Sequence, residues 1–290
     1  MKNCLSIFLA LSCLLTQAPP ARAQSAAKTA VPSTQTAIDW SKERAAAPKG
    51  KVEAFEVQDN QYRRKRKVWV YTPPGYHAQA AEPCRLLLSF DGEDYLKEIP
   101  APTILDNLLA AGKIHPTIQV MIDNSEDRLG DLANHQKFAD FLVRDLLPWA
   151  QKKFRVAREA NKTALCGYSA GGLAAAYVAF NYPNQFGNVL SQSGAFWRGN
   201  EGGTEQPEWL TAQYKSSPKL DVRFYLEVGA GETGRTAGGV VFIEANQRLR
   251  DVLRAKGYDV KYLEAPNAIH NAEHWRAQLA DGIIYLMGKA

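Results

Sequence analysis

The sequence has little net charge, no evident internal repeat and few cysteines. It contains 35 basic and 30 acidic residues in 290, and this excess of five is too small to indicate nucleic-acid binding. Apolar residues make up 46% of the chain and charged residues 22%, which is ordinary for a globular protein. No break in composition follows residue 50. We therefore expect one folded domain and no nucleic-acid partner.

Two of the four cysteines, Cys84 and Cys166, lie in the region expected to fold. Cys84 begins one apolar run and Cys166 ends another. In neighbouring parallel strands these positions would lie at opposite ends, beyond bridging distance, even in an oxidising compartment that permits disulfides. We predict two buried thiols.

The N-terminal apolar stretch is too short for a stable membrane anchor. A positive residue, Lys2, precedes the apolar residues 4–15, and residues 21–23 (Ala-Arg-Ala) have the small-x-small spacing of a signal-peptide cleavage site. The pattern predicts a signal peptide over residues 1–23, cleavage before Gln24 and export to the periplasm. No transmembrane segment is expected after cleavage.

Beyond this stretch, residues 24–48 are rich in Ala, Ser, Thr, Gln and Pro and predict a disordered linker, followed by a folded domain over 49–290. In that domain short apolar segments alternate with amphipathic ones. The predicted strands are 51–58, 65–71, 85–90, 117–123, 162–167, 188–192, 222–228 and one near 259–264. The predicted helices are 103–112, 135–154, 170–181, 240–256 and 274–287. This alternation of strands and helices predicts an α/β fold with a mostly parallel sheet, helices on both faces and an antiparallel N-terminal hairpin at the edge.

The segment Gly167-Tyr168-Ser169-Ala170-Gly171 matches G-x-S-x-G between a predicted strand and a predicted helix. On such a strained turn, side chains two residues either side of the serine would collide, and glycine avoids the collision. The motif in this context predicts the α/β-hydrolase fold, with Ser169 as a nucleophile. Free N–H groups at the helix N-terminus would favour a developing anion there.

A serine nucleophile needs a base, and the base needs an orienting acid. In α/β-hydrolases the acid and then the histidine follow the serine along the chain. His270 lies in the loop after the last predicted strand and is the predicted base. His274 begins the final helix, and we predict a structural role for it as a cap or a surface residue. Glu232 is the only carboxylate in the loop after strand 222–228 and is the predicted acid, with Glu227 as the alternative.

Two N–H donors are needed to stabilise the oxyanion, and we assign them to the amides of Ala170 and Glu93. The segment 270–274 also matches H-x-x-E-H, an inverted zinc-protease signature. A zinc site of this kind needs both histidines on one helix and a third ligand, whereas this pair straddles a loop and a helix start. We expect no metal and no other cofactor.

Several further segments, from about residue 50 to the end, resemble the enterochelin (ferric enterobactin) esterase family. They are residues 71–76, 91–93, Arg128 with 131–132, 166–172, 189–194 with 196–197, and His270 with 275–276. The Leu-Ser-Gln-Ser-Gly-x-x-Trp run that begins at Leu190 is more specific than the serine motif. The resemblance implies that Ser169 and His270 are catalytic, with Glu232 as the acid. It also implies a small-molecule ester substrate, an iron-loaded catecholate trilactone siderophore.

Such a substrate is an anion, which a basic pocket would suit. The resemblance makes Arg128 the best candidate for that pocket, and Trp197 and Tyr95 candidates for stacking on aromatic rings. The family carries Glu where this chain has Asp131, so the role of that position does not carry over directly. The basic run 63–67 is predicted to be a solvated edge strand.

Three alternatives stay open. The first is a feruloyl or acetyl esterase of the same group, acting on plant polysaccharide. The second is a siderophore-binding protein without catalysis, and the third is an acyltransferase in which an alcohol replaces water. The complete set of Ser, His and acid favours an enzyme. No carbohydrate-binding or dockerin-like segment is evident, which favours the siderophore ester over the polysaccharide.

Overall fold

Eight strands form a single sheet in the computed structural model, which describes residues 38–124 and 126–289. The strands are β1 (Lys51–Asp59), β2 (Arg64–Thr72), β3 (Arg85–Ser89), β4 (Thr117–Ile122), β5 (Thr163–Tyr168), β6 (Asn188–Gln192), β7 (Arg223–Gly229) and β8 (Val260–Ala265). Their order is β1-β2-β4-β3-β5-β6-β7-β8. Strands β3 to β8 are parallel, whereas β1 and β2 form an antiparallel hairpin and β2 is antiparallel to β4.

The helices cover both faces of this sheet. They are α1 (Gly92–Lys97), α2 (Ala101–Ala110), α3 (Arg128–Leu132), α4 (Gln136–Phe141), α5 (Leu147–Lys153), α6 (Ala170–Asn181), α7 (Trp209–Ser216), α8 (Phe242–Ala255) and α9 (Ala272–Met287). Every residue of β4 and β5 is buried, as expected for central strands covered on both sides. Successive residues of β3 face opposite sides of the sheet: Leu86 and Leu88 belong to one core cluster with residues of α4, α6 and α8, whereas Leu87 belongs to the other with residues of α2 and α9.

The predicted fold class is confirmed. All eight predicted strands are present, including the N-terminal hairpin, and the predicted helix 170–181 has the observed bounds. The predicted helix 135–154 is observed as one continuous helical segment, in which α4 and α5 are joined by a π-helical stretch over Leu142–Leu146. Helices α1, α3 and α7 were not predicted, because each has eight residues or fewer and shows too little apolar periodicity to be recognised.

The two cysteines confirm the prediction of buried thiols. Cys84 and Cys166 are both free and buried. Ser89, at the carboxyl end of β3, is the residue paired with Cys166, whereas Cys84 precedes the other end of β3 and pairs with Val156. The separation along neighbouring parallel strands therefore keeps the two thiols apart.

The predicted solvated edge strand at 63–67 is wrong. Strand β2 lies between β1 and β4, so it is not an edge. Its alternate residues point into the protein, where the buried guanidinium of Arg66 binds the carboxylates of Asp59 and Asp131. Asp131 is thereby held in a buried ionic cluster, because a buried charge needs partners of opposite sign.

The folded part begins earlier than predicted. Asn107 of α2 donates hydrogen bonds to the carbonyls of Trp40 and Lys42, at 2.7 and 2.8 Å. These contacts bind the last part of the predicted linker to the domain, which extends back to Asp39. The predicted signal peptide and the rest of the linker lie outside the described residues. No helix in the described ranges is both long and apolar enough to cross a bilayer.

Candidate active site

Ser169 lies on a tight turn between β5 and α6, at the carboxyl edge of the sheet. Its backbone has φ 54° and ψ −119°, a conformation that a non-glycine residue rarely adopts. Its N–H donates to the carbonyl of Gln192, at 2.8 Å. A Cβ at Gly167 would overlap the backbone of Gly171, so glycine is required there. At Gly171 itself a Cβ would lie 3.4 Å from the nearest atom, a carboxylate oxygen of Asp91, so the predicted collision occurs only on the Gly167 side.

Two helix N-termini begin beside each other at this edge. Helix α6 starts at Ala170, and α1 starts at Gly92 after Asp91, whose φ is 52°. The strands that lead into these helices, β3 and β5, are paired neighbours. Amides in the first turn of a helix have no partner within the helix, so the amides of Ala170 and Glu93 are available to an anion. The predicted donors therefore lie in suitable backbone positions.

His270 and Glu232 are hydrogen-bonded. His270 lies in the loop between β8 and α9, and its Nδ1 is 2.6 Å from Oε2 of Glu232, in the loop after β7. An ionised carboxylate can only accept, so Nδ1 donates, and in the neutral imidazole Nε2 is the nitrogen without a proton. This is the contact predicted from the sequence, and it leaves a basic nitrogen for proton transfer.

Glu232 is buried, yet it is held as a carboxylate. Its Oε1 accepts hydrogen bonds from Ser193 Oγ at 2.5 Å and from the Gly229 amide at 2.8 Å. Burial alone would raise the pKa of Glu232, but the hydrogen bonds from His270, Ser193 and Gly229 outweigh it and lower that pKa from its ordinary value. The carboxylate is therefore ionised at neutral pH.

Aromatic rings connect the histidine to the serine turn. The ring of His270 is in edge contact with Phe242 and with Trp275, each with its centroid 5.0 Å away. Trp275 also stacks on Tyr168, at 4.0 Å and 14°. Tyr168 is the residue before Ser169, so the indole of Trp275 packs against both the serine turn and the imidazole. Ser169, His270 and Glu232 thus follow the carboxyl ends of β5, β8 and β7, which share one edge of the sheet.

A second His–Glu pair lies beneath the first. His274 Nε2 is hydrogen-bonded to Glu227 Oε2, and both side chains are buried. The prediction that His274 caps a helix or lies at the surface is wrong, because Asn271 caps α9 and the His274 ring points into the core. Glu227, the alternative acid, contacts His274, and no contact joins it to His270. Burial raises the pKa of Glu227 well above its ordinary value and lowers that of His274.

The two histidines of the H-x-x-E-H segment therefore bind different carboxylates. His270 lies in a loop, whereas His274 lies on helix α9. In residues 38–124 and 126–289 no group of three or more His, Cys, Asp or Glu side chains is placed to hold a metal ion. The donor set does not fit the arrangement that the zinc signature requires.

Of the predicted substrate contacts, Arg128 lies beside the serine turn but its charge is paired. Its Nε and Nη2 donate to the two carboxylate oxygens of Asp91, at 2.6 and 2.7 Å, and its guanidinium lies 5.1 Å from the centroid of the Tyr168 ring. Trp197 is half-buried and has the Arg198 guanidinium over its ring.

The prediction that Tyr95 stacks on a ligand is wrong. Its side chain is fully buried beneath the serine turn, and its hydroxyl donates to Gln192 Oε1 at 2.9 Å. The residue points into the core because it lies in α1, a helix that was not predicted. Two residues of the site were missed, Ser193 and Phe242. Ser193 lies within the Leu-Ser-Gln-Ser-Gly run, which was the only signal that could have revealed it.

The fold is that of α/β-hydrolase esterases. A family model described as "Putative esterase" matches residues 60–286, and the chain belongs to this family. An iron(III) enterobactin esterase of Dickeya dadantii is 30% identical over 250 residues, covering 80% of this chain and 53% of the relative. One from Escherichia coli K12 is 30% identical over 229 residues, covering 77% and 54%. The resemblance to enterochelin esterases is confirmed.

Solved structures of esterases share this fold. The enterobactin esterase of Shigella flexneri, crystallised in the presence of enterobactin, has a TM-score of 0.74 at 26% identity, over 86% of this chain and 61% of that one. A ferulic acid esterase has a TM-score of 0.65 at 16% identity, over 82% and 98%, which shows the shared fold. The chain spans about half the length of the curated enterobactin esterases above.

Proposed function

We propose that this esterase is a serine carboxylic-ester hydrolase in which Ser169, His270 and Glu232 form the catalytic triad. The observation that carries the proposal is the hydrogen bond of 2.6 Å between His270 Nδ1 and Glu232, on the same sheet edge as the strained turn of Ser169. An orienting carboxylate at Nδ1 leaves Nε2 as the base, which is what a serine needs to become a nucleophile.

In the proposed reaction, His270 Nε2 accepts the proton of the Ser169 hydroxyl while Oγ bonds to the ester carbonyl carbon. The carbonyl oxygen becomes an anion and accepts hydrogen bonds from the amides of Ala170 and Glu93. The intermediate collapses, the carbon–oxygen bond to the leaving group breaks, and the alcohol takes the proton from His270. Water then attacks the acyl-enzyme by the same route, which releases the acid and restores Ser169.

We propose a catecholate siderophore ester, an iron-loaded trilactone of the enterobactin type, as the substrate, with iron release as the outcome. The proposal is supported by the enterobactin esterase relatives. A second candidate is a feruloyl ester. An endo-1,4-beta-xylanase/feruloyl esterase of Xylanibacter ruminicola is 28% identical over 180 residues, covering 61% of this chain and 22% of that protein, and favours it.

The substrate is tested by mass spectrometry of the products from ferric enterobactin, iron-free enterobactin and methyl ferulate, each incubated separately with the enzyme. Release of linear trimer, dimer and monomer fragments of the trilactone, with little ferulate, would support the siderophore ester as the substrate. Methyl ferulate as the better substrate would assign the enzyme to feruloyl esters. An added alcohol that appears in the product would indicate acyl transfer instead of hydrolysis.

The nucleophile is tested with Ser169→Ala. We expect this variant to lose ester hydrolysis by several orders of magnitude, and to lose labelling by a fluorophosphonate, while it keeps the fold. Near-normal turnover would contradict the serine mechanism. A wild-type protein that binds ferric enterobactin but neither hydrolyses an ester nor reacts with the fluorophosphonate would instead be a siderophore-binding protein.

We also propose export to the periplasm, with a mature chain that starts at Gln24. The support is the charge, apolar length and Ala-Arg-Ala spacing of residues 1–23. N-terminal sequencing of the protein from a periplasmic fraction checks this proposal. A cytoplasmic protein that begins at Met1 or Lys2 would contradict it.

A further inference from the structure

Ser193 is a buried serine with an unusual backbone conformation. It follows β6 directly, is 0% exposed and has φ 47°, in the region that favours glycine. Its N–H donates to the carbonyl of Glu227 at 2.7 Å, which ties the turn to β7. Glycine would be less strained at this position, so the presence of serine indicates that its hydroxyl makes a functional contact.

The direction of the hydrogen bonds to this hydroxyl is fixed by chemistry. The indole Nε1 of Trp275 lies 3.1 Å from Ser193 Oγ, and an indole N–H can only donate. Oγ is therefore the acceptor there. The single hydroxyl proton is left for the carboxylate of Glu232, whose Oε1 lies 2.5 Å away. The donors run in one direction, from Trp275 to Ser193 to Glu232.

These bonds set the orientation of the carboxylate. Oε1 of Glu232 is held by Ser193 and by the Gly229 amide, so the carboxylate cannot rotate freely, and Oε2 is directed at His270 Nδ1. The Trp275 ring that aligns the hydroxyl is also in edge contact with the His270 ring. The indole of Trp275 therefore contacts the His270 ring directly and the Glu232 carboxylate through the Ser193 hydroxyl.

We propose that Ser193 is a positioning residue for ester hydrolysis, whose hydroxyl, aligned by the indole N–H of Trp275, holds the Glu232 carboxylate in the orientation that binds His270. The inference rests on the triad of the proposed function. Without the hydroxyl, Oε1 keeps only the Gly229 amide and the carboxylate can turn away from His270. The chemical step then slows, while the binding of substrate is unaffected.

The test compares two variants that both lack the hydroxyl but differ in backbone freedom. Ser193→Gly relaxes the strain at φ 47°, whereas Ser193→Ala keeps it, so we expect different unfolding temperatures. If the hydroxyl acts on Glu232, both variants lose about 10- to 100-fold in kcat with little change in KM, whatever their stability. Wild-type kcat in both variants, or a kcat that follows the unfolding temperature, would overturn the proposal.

Ser191→Ala is the matched control. Ser191 lies two residues earlier on β6, is equally buried, and its Oγ has no hydrogen-bond partner among the described residues. We expect kcat within about twofold of wild type, because this change removes a buried hydroxyl without touching Glu232. A loss equal to that of Ser193→Ala would mean that any buried hydroxyl on this strand matters, and would overturn the specific role of Ser193.

A double-mutant cycle separates this inference from the proposed function. In the background of Glu232→Gln, Ser193→Ala should reduce kcat by less than about twofold, because its effect acts through the missing carboxylate. A full additional loss would overturn the inference. If Glu232→Gln alone keeps wild-type kcat, the triad fails. If Glu232→Gln loses kcat and Ser193→Ala does not, only the role of Ser193 is overturned.

Discussion

Two His–Glu pairs join the same two segments of the chain, but they lie in different surroundings. His270 is 37% exposed and binds Glu232, whereas His274, one helical turn further on, is 2% exposed and binds Glu227. Glu227 lies within strand β7, and Glu232 lies in the loop that follows it. The same two residue types therefore meet twice within a few residues, once with the histidine partly exposed and once with both side chains in the core.

Burial gives the two pairs different protonation. It raises the pKa of Glu227 and lowers that of His274, so burial favours the neutral form of both groups in the inner pair. In the outer pair, burial would also raise the pKa of Glu232, but hydrogen bonds outweigh it and lower that pKa. Only the outer pair combines an ionised acid with an imidazole that solvent and substrate can reach. The comparison separates a site built for proton transfer from a structural contact of the same composition.

The largest expected difference is between the two histidines. His270→Ala should lower kcat by about a thousandfold or more, because the serine loses its base, with little effect on stability. His274→Ala removes a buried hydrogen-bond partner of Glu227 and leaves a cavity, so it should lower the free energy of unfolding by about 3 kcal/mol. Steady-state kinetics and urea unfolding of both variants check this. A His274→Ala variant that is stable but inactive would reverse the assignment.

The two glutamates should differ in the same way, with a smaller effect. Glu232→Gln keeps the shape and removes the charge that stabilises the imidazolium, so we expect a loss of about a hundredfold or more in kcat with little change in KM. Glu227→Gln should stay within a few-fold of wild type, because its partner is His274. Activity within a few-fold for Glu232→Gln, together with a large loss for Glu227→Gln, would make Glu227 the functional acid.

The pH dependence of stability should reveal the proton held in the inner pair. Above about pH 7.5, unfolded glutamate and histidine bind almost no proton, whereas we expect the folded pair to keep the proton of Glu227, so the free energy of unfolding should fall as pH rises. The slope should reach up to about 1.4 kcal/mol per pH unit until the raised pKa of Glu227 is passed. Glu227→Gln should remove that component. Equal slopes for both proteins in urea unfolding between about pH 7 and pH 8.5 would mean that the pair holds no extra proton.

The outer glutamate contributes with the opposite sign. Because the pKa of Glu232 is lowered in the folded state, its contribution to stability is present above the ordinary glutamate pKa and is lost as the pH falls through the lowered value. The two pairs therefore respond at opposite ends of the pH range. Comparing Glu232→Gln with wild type below about pH 5 isolates this second component.

The sequence allowed the sheet, the serine turn and the loop positions of His270 and Glu232 to be predicted, because each follows from local pattern and chain order. The inner pair could not be predicted in this way. Whether a strand residue such as Glu227 faces the core depends on the register of β7 against β6 and β8. Likewise, the placement of His274 depends on where α9 begins, a boundary that apolar periodicity leaves uncertain by several residues. Burial, which distinguishes the pairs, is a tertiary property.

The smallest expected effect concerns the residue between the two histidines. Asn271 caps α9, and its side chain accepts a hydrogen bond from the His274 amide at 3.0 Å. Asn271→Ala removes this cap and should cost about 1 kcal/mol in the free energy of unfolding. His274 is anchored within the helix by Glu227, whereas His270 lies in the loop before it. Fraying of the first turn should therefore loosen His270 more, and lower kcat a few-fold.

Asn271→Asp is the matched control, because aspartate keeps an acceptor at the N-cap and should preserve both stability and kcat. If Asn271→Ala loses stability but keeps wild-type kcat, the loop of His270 is positioned independently of α9. The contacts of His270 with Glu232, Phe242 and Trp275 would then be sufficient to hold the outer pair without the helix that carries the inner one.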